Sequence, residues 1–284
     1  MRILLDAKDL IDVVEHSKPV TISELGAWLT KRSNRLVYSL GNIRALVAPI
    51  VGDASQLSRI QEYVKQLERL PHCYVGSDVD LLELQSALRC FEAAKEYEPI
   101  DAYVPRFDYV LPSFANPNRL IYPLWDIVYD LWRACPKIFE PQPKFHELQA
   151  LAMSINRSEP RNARSCLAEP LDDPILYFLV SKMSATQERA AQVASWIAAD
   201  PSRCPGLRLL RAVGFAMSQN RTYAARKDDV FDMSQIVTVP YVDAATVDRT
   251  MLHYFSQAVR ANTGPLASTP DVFRNMQDLM KALA

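Results

Sequence analysis

The sequence predicts an α/β protein built on a mostly parallel sheet, with a large helical insertion between the two ends of the chain. Three observations predict it. Short apolar runs alternate with amphipathic segments through residues 2–94, the trace that strand–helix–strand units leave in sequence. A similar run returns at residues 244–247, near the other end. Between residues 120 and 229, helical patterns follow one another with no strand-like run among them.

Taken in order, Arg2 to Leu5 reads as a short buried strand ending at Asp6, and Asp9 to Val14 as the helix after it. Ile22 to Leu29 is amphipathic, with Thr21 or Ser23 as its cap and Glu24 placed to complete a capping box. Leu36 to Ser39 is the second strand. Gly41-Asn42 turns it into a helix over Ile43 to Val47, which Pro49 is expected to stop. Residues 54–69 place Leu57, Ile60, Val64 and Leu67 on one helical face; His72 to Val75 is a third strand, ended by Gly76; and residues 80–94 are helical again. Residues 99–120 are rich in proline and aromatic side chains and read as loop, followed by helices near 122–134, 144–155, 174–183, 186–199 and 205–218. Residues 230–239 form a helix closed by Pro240, Ala244 to Val247 a buried strand running into Asp248, and Thr250 to Val259 a helix. Thr269-Pro270-Asp271 reads as the cap and first turn of a last helix. Residues 1–95 and 205–284 are thus the two parts of one core, and 96–204 is the insertion.

Composition narrows the function classes. Hydrophobic residues make up 49% and charged residues 23% of 284, enough for a sizeable core. A net charge of −1 gives no general affinity for nucleic acid, so such a binder needs a local basic surface. The five cysteines have no zinc-like spacing and fit buried thiols in a reducing cytoplasm. No secretory leader is read at the start, and no apolar run approaches the roughly 20 residues of a membrane span. The expectation is a soluble, cytoplasmic protein with no membrane partner. The four histidines lack triad or metal spacing, and with seven glycines there is no glycine-rich phosphate loop. Trp125 and Trp132, seven apart, read as core rather than as a base-stacking platform.

The acids carry the chemistry. Asp6 ends the first strand, Asp248 ends the strand near the other end, and Asp232 lies early in the helix leading into that strand. Residues at the carboxyl ends of strands in an open α/β sheet share one crevice. Carboxylates gathered there repel one another, and a divalent cation relieves the repulsion. Mg²⁺ or Mn²⁺ prefers such oxygen ligands and can activate water beside a phosphate. Asp243 is a secondary candidate: an extended 243–248 separates it from Asp248 by roughly 16 Å, too far to share one ion directly. It reads equally as a residue bracing the start of the strand.

At these residues the chain resembles the PIN-like nuclease superfamily. ILLDAKDLIDVV resembles the family's first strand with its Asp and following helix. DMSQIVTVPYVDAATVDR resembles its later acidic helix, the next strand and the final Asp, and VYSLGNIRALVAPI its second strand and helix. The resemblance covers roughly the first 90 and last 80 residues. It implies a three-layer core and a metal-dependent phosphodiesterase, an endoribonuclease acting on RNA in preference to DNA. Asp6, Asp232 and Asp248 would hold Mg²⁺ or Mn²⁺, with Asp243 in reserve.

The resemblance also implies an acid on the helix after the second strand, where this chain has Ala45. Three readings follow: a ligand lost naturally, a deliberately disabled enzyme, or replacement by Glu83 from the later helix over residues 80–94. Lys8, Arg44 and Arg249 are the candidates for substrate phosphates. Arg32 and Arg35 would extend a backbone-binding track, and Arg157, Arg161 and Arg164 a nucleic-acid arm, unless each is ordinary surface charge. From another class comes the rival expectation of a catalytically silent scaffold, whose helical middle binds a protein partner or a second copy. A phosphatase using Asp6 as nucleophile is a weaker rival that no phosphate-binding loop supports.

Overall fold

The computed structural model describes residues 1–15, 20–76, 79–104, 123–134, 186–200, 202–220, 222–223, 229–261 and 270–284. Six strands among them form one sheet: β1 (Arg2–Leu4), β2 (Arg35–Tyr38), β3 (His72–Val75), β4 (Tyr103–Val104), β5 (Ala244–Thr246) and β6 (Asp271–Phe273). Their order across the sheet is β4-β3-β2-β1-β5-β6. Five strands run parallel, and β4 is an antiparallel edge against β3. The sheet is therefore mostly parallel, and its centre joins the two ends of the chain.

Strand alternation sorts the helices into two layers. On one face Ile3, Leu5, Leu36, Tyr38, Tyr74 and Ala244 meet the apolar sides of α1 (Ala7–Val14), α2 (Ile22–Lys31), α3 (Leu40–Gly52), α4 (Leu57–Glu68), α6 (Leu124–Ala134) and the last helix, α11 (Met276–Ala282). On the other, Leu4, Val37, Val75 and Ala245 pack against α8 (Pro205–Gln219), α10 (Arg249–Ala261), Ile236 at the end of α9 (Asp229–Ile236) and Val79 at the start of α5 (Val79–Glu92). A third cluster joins α5 to α7 (Gln187–Ala199) and α8 through Leu84, Ala87, Val193 and Leu207.

Four elements differ from the sequence expectation. First, α3 continues through Pro49 to Gly52; Ile50, fully buried in the core, rewards the extra turn despite the lost backbone bond. Second, Asp271–Phe273 is an edge strand paired with β5, and α11 starts only at Met276, capped by Asn275. Third, Tyr103 and Val104, within the expected loop, pair with β3. Fourth, residues 237–241 leave α9 and close in a short 3-10 helix, Val239–Tyr241. The segment 96–204 therefore supplies both an edge strand and, through Leu124, Ile127 and Val128 of α6, part of the main core. Trp125 and Trp132 pack partly buried against that core. The helices expected at 144–155 and 174–183 lie outside the described residues, as do Cys135, Cys166, Arg157, Arg161 and Arg164.

Two local devices fix where α3 leaves the sheet. Ser39 and Asn42 form a capping box. The Asn42 amide also donates to the Leu5 carbonyl, at 2.8 Å, tying α3 to the end of β1. Asn42 is fully buried, so Asn42→Ala leaves that carbonyl and the Ser39 amide without partners. We expect a loss of roughly 1–3 kcal/mol, read as a lower midpoint in urea unfolding with unchanged slope.

Candidate functional site

The strand order reverses between β1 and β5. From β1 the chain steps outward to β2 and β3 on one side, and from β5 to β6 on the other. In open α/β sheets this is the point where the connections diverge and leave a crevice beyond the carboxyl ends of the strands. Asp6 follows β1 and Asp248 follows β5 at that edge. The Asp6 amide donates to Thr246 Oγ1 at 2.8 Å, so the ends of the two strands are joined there. Asp248 stands before α10, and its Oδ1 accepts the Met251 amide at 2.5 Å, which makes it that helix's N-cap.

Burial is the main force on the Asp6 carboxyl and pushes it up to about 6; the charge of Asp9 adds to this, and that of Asp248 adds less, while the Ala7 and Lys8 amides partly offset them. Asp6, Asp9 and Asp248 thus share one negative field. Asp9, 3% exposed, is the residue that sequence reasoning passed over. Its signal was the three-residue step from Asp6, which puts both acids on one side of the first turn of α1. Thr246 was likewise passed over, two residues before Asp248.

The other candidates fall in different places. Asp232 is half-buried on α9. One turn later Gln235 presses on the start of α3: a Cβ on Gly41 would lie 2.8 Å from Gln235 Cγ. Ala45 is one turn beyond Gly41 on α3 and half-buried. Lys8 and Arg249 are exposed beside Asp6 and Asp248, and Arg44 is half-buried on α3.

Asp243 is corrected. It precedes β5, at the opposite end of the strand from Asp248, and its Oδ2 accepts the Arg2 amide at 2.6 Å. It braces the start of β1 and is remote from the crevice. Arg35 opens β2 at that same far edge, in register with Arg2, so the proposed track through Arg32 and Arg35 does not begin at the acids. Glu83 is corrected as well. Its Oε1 accepts the Gly206 amide at 2.7 Å and the Tyr241 hydroxyl, and its Oε2 accepts the Leu207 amide at 2.9 Å. Both oxygens are engaged at the start of α8, which leaves no reason to treat Glu83 as the substitute for an acid at position 45.

Among the described residues no three His, Cys, Asp or Glu side chains are grouped closely enough to hold a metal ion as they stand. No helix among them is long and apolar enough to cross a membrane. No protein-family model, curated protein or solved structure matches this chain.

The raised Asp6 has a consequence for stability. Its folded-state value, about 6, exceeds the ordinary 3.8. The folded protein therefore keeps a proton there that the unfolded chain releases, and this contribution is full below about 3.8 and lost as pH rises through about 6. Asp6→Asn removes the dependence. Above pH 6 the variant is expected to be more stable than the parent by about 1–2 kcal/mol after allowing for partial solvent screening, and the gain shrinks below pH 4. Calorimetry across that range checks it; parallel curves would contradict the raised Asp6 carboxyl.

Proposed function

We propose that this chain is a metal-dependent nuclease of PIN-like type that acts on RNA. The observation that carries the reading is the meeting of Asp6 and Asp248 at the carboxyl ends of adjacent parallel strands, where the strand order reverses. The raised Asp6 supports it: burial raises it most, and the smaller part due to the charges of Asp9 and Asp248 is a repulsion that a cation offsets. Asp6, Asp248 and Asp232 would hold Mg²⁺ or Mn²⁺, with Asp232 brought in from α9. When bound, such an ion supplies charge for a phosphate oxygen and makes water easier to deprotonate. The chain's own part is to bind and orient. Lys8 and Arg249 offer exposed cations at the rim for substrate phosphates, and the first turns of α1 and α10 bring backbone amides to the same edge.

Ala45 favours a second reading. No side-chain oxygen exists at the position where the family resemblance implies an acid, and the described acids do not by themselves group into a ligand set. A scaffold that keeps the nuclease architecture and binds a protein partner would have both properties.

Ala45→Glu separates the two. If the helix face carrying Ala45 opens on the crevice, the added carboxylate tightens Mg²⁺ or Mn²⁺ binding. Metal-dependent cleavage of labelled single-stranded RNA then rises by about tenfold or more, equivalent to about 1.4 kcal/mol of barrier. Asp248→Asn in that background should abolish the gain without unfolding α10, because asparagine caps a helix as well as aspartate. Unchanged binding and cleavage in Ala45→Glu would make the scaffold the better reading.

A further inference from the structure

Glu83 is fully buried, at 0% exposure, and the proposed nuclease does not use it. Its three donors come from two separate elements: the Gly206 and Leu207 amides from the first turn of α8, and the Tyr241 hydroxyl from the 3-10 helix before β5. The two elements are pressed together there. A Cβ on Gly206 would lie 2.5 Å from the Val237 carbonyl oxygen and 3.0 Å from Glu83 Oε1, so only glycine allows α8 to approach the turn after α9 this closely. Among the described residues, the other titratable groups facing Glu83 are Asp80 on its own helix, Tyr97 from the segment after α5, and Cys204 before α8. The Cys204 thiol donates to the Glu83 backbone carbonyl at 3.6 Å. Arg208, one turn along α8, directs its guanidinium to the carbonyls of Ile197, Ala198, Asp200 and Arg203 instead.

The anion offers lone pairs to all three donors. The neutral acid must place an O–H among them, and two of the three are backbone amides that cannot reverse. The Tyr241 hydroxyl is the one partner able to rotate and accept. We propose that Glu83 is a proton-sensitive latch whose hydrogen bond with Tyr241 reverses direction on protonation, resetting how the 3-10 helix that leads into β5 is held. The latch holds the Val239–Tyr241 turn, between α9, which carries Asp232, and β5, whose far end leads to Asp248. The inference does not depend on the nuclease reading.

Burial is the largest influence on the Glu83 carboxyl and pushes it up to about 7, against the lowering effect of its three donors, so the change falls near neutral pH. The folded value lies above the ordinary 4.5; the associated stability is therefore full below about 4.5 and lost as pH rises through about 7. The test follows the Glu83 side-chain carboxyl carbon by NMR on the full chain, assigned by its absence in Glu83→Gln. The resonance is expected to titrate near pH 7. In Tyr241→Phe its midpoint should move upward, because the lost bond to the anion is stronger than the one to the neutral acid. The melting temperature of the parent relative to Glu83→Gln should fall between about pH 5 and 8. A resonance titrating in the ordinary carboxylate range, or one unmoved by Tyr241→Phe, overturns the latch. If Glu83→Gln does not fold, the carboxyl resonance that Tyr241→Phe shifts identifies Glu83, and a spectrum with no such resonance overturns the latch equally.

Discussion

Where parallel strands end, backbone amides and carbonyls run out of ladder partners, and buried ones must find others. The centre of this sheet meets that demand with side chains from neighbouring strand ends. Thr246, closing β5, accepts the amide of Asp6. Asn42, opening α3, covers the carbonyl of Leu5. Asp248 caps α10. Three helices leave the same edge from these anchors, and the directions of α1, α3 and α10 follow from them. The crevice is what remains between helices that must start where the strands stop.

That economy brings carboxylates together. Asp6 is pulled into the strand junction by its backbone, and its side chain is left half-buried within the field of Asp9 and Asp248. A fold selected for stability alone would place an amide or a hydroxyl there, as it does at Asn42 and Thr246. Strain of this kind concentrates where a protein meets a ligand, and here it coincides with the reversal of strand order.

The parts legible in the sequence are those whose signal is local. The run His72–Val75 shows as a strand because four half-apolar residues lie between a proline and a glycine, and the Thr21–Glu24 capping box can be read letter by letter. The pairing of the two chain ends was legible in the return of a short apolar run before Asp248. Elements set by tertiary contact were not. Pro270-Asp271 carries the letters of a helix start, yet its backbone completes the edge beside β5. Pro49 carries the letters of a helix stop, yet the burial of Ile50 holds the helix together beyond it. In the site, Asp6 and Asp248 could be placed from strand polarity alone. Asp243 could not, because a residue before a strand and one after it look alike until the start of β1 is seen to use one of them. Glu83 misled for a similar reason: an acid on a helix after a strand gives no hint that another helix begins on top of it.

The central strand is flanked by β2, some thirty residues later in the chain, and by β5, whose Thr246 bonds a residue 240 positions earlier. A ribosome therefore delivers one neighbour of β1 almost at once and the other only with Thr246, 240 positions after Asp6. Throughout that interval the inner edge of the nascent sheet presents Ile3 and Leu4 with an open row of amides and carbonyls, the kind of edge that recruits strands from other molecules. Contacts so distant in sequence also slow folding, since a long loop must close before they form. Expression yield should then depend more on chaperone supply and growth temperature during synthesis than on the stability of the finished fold.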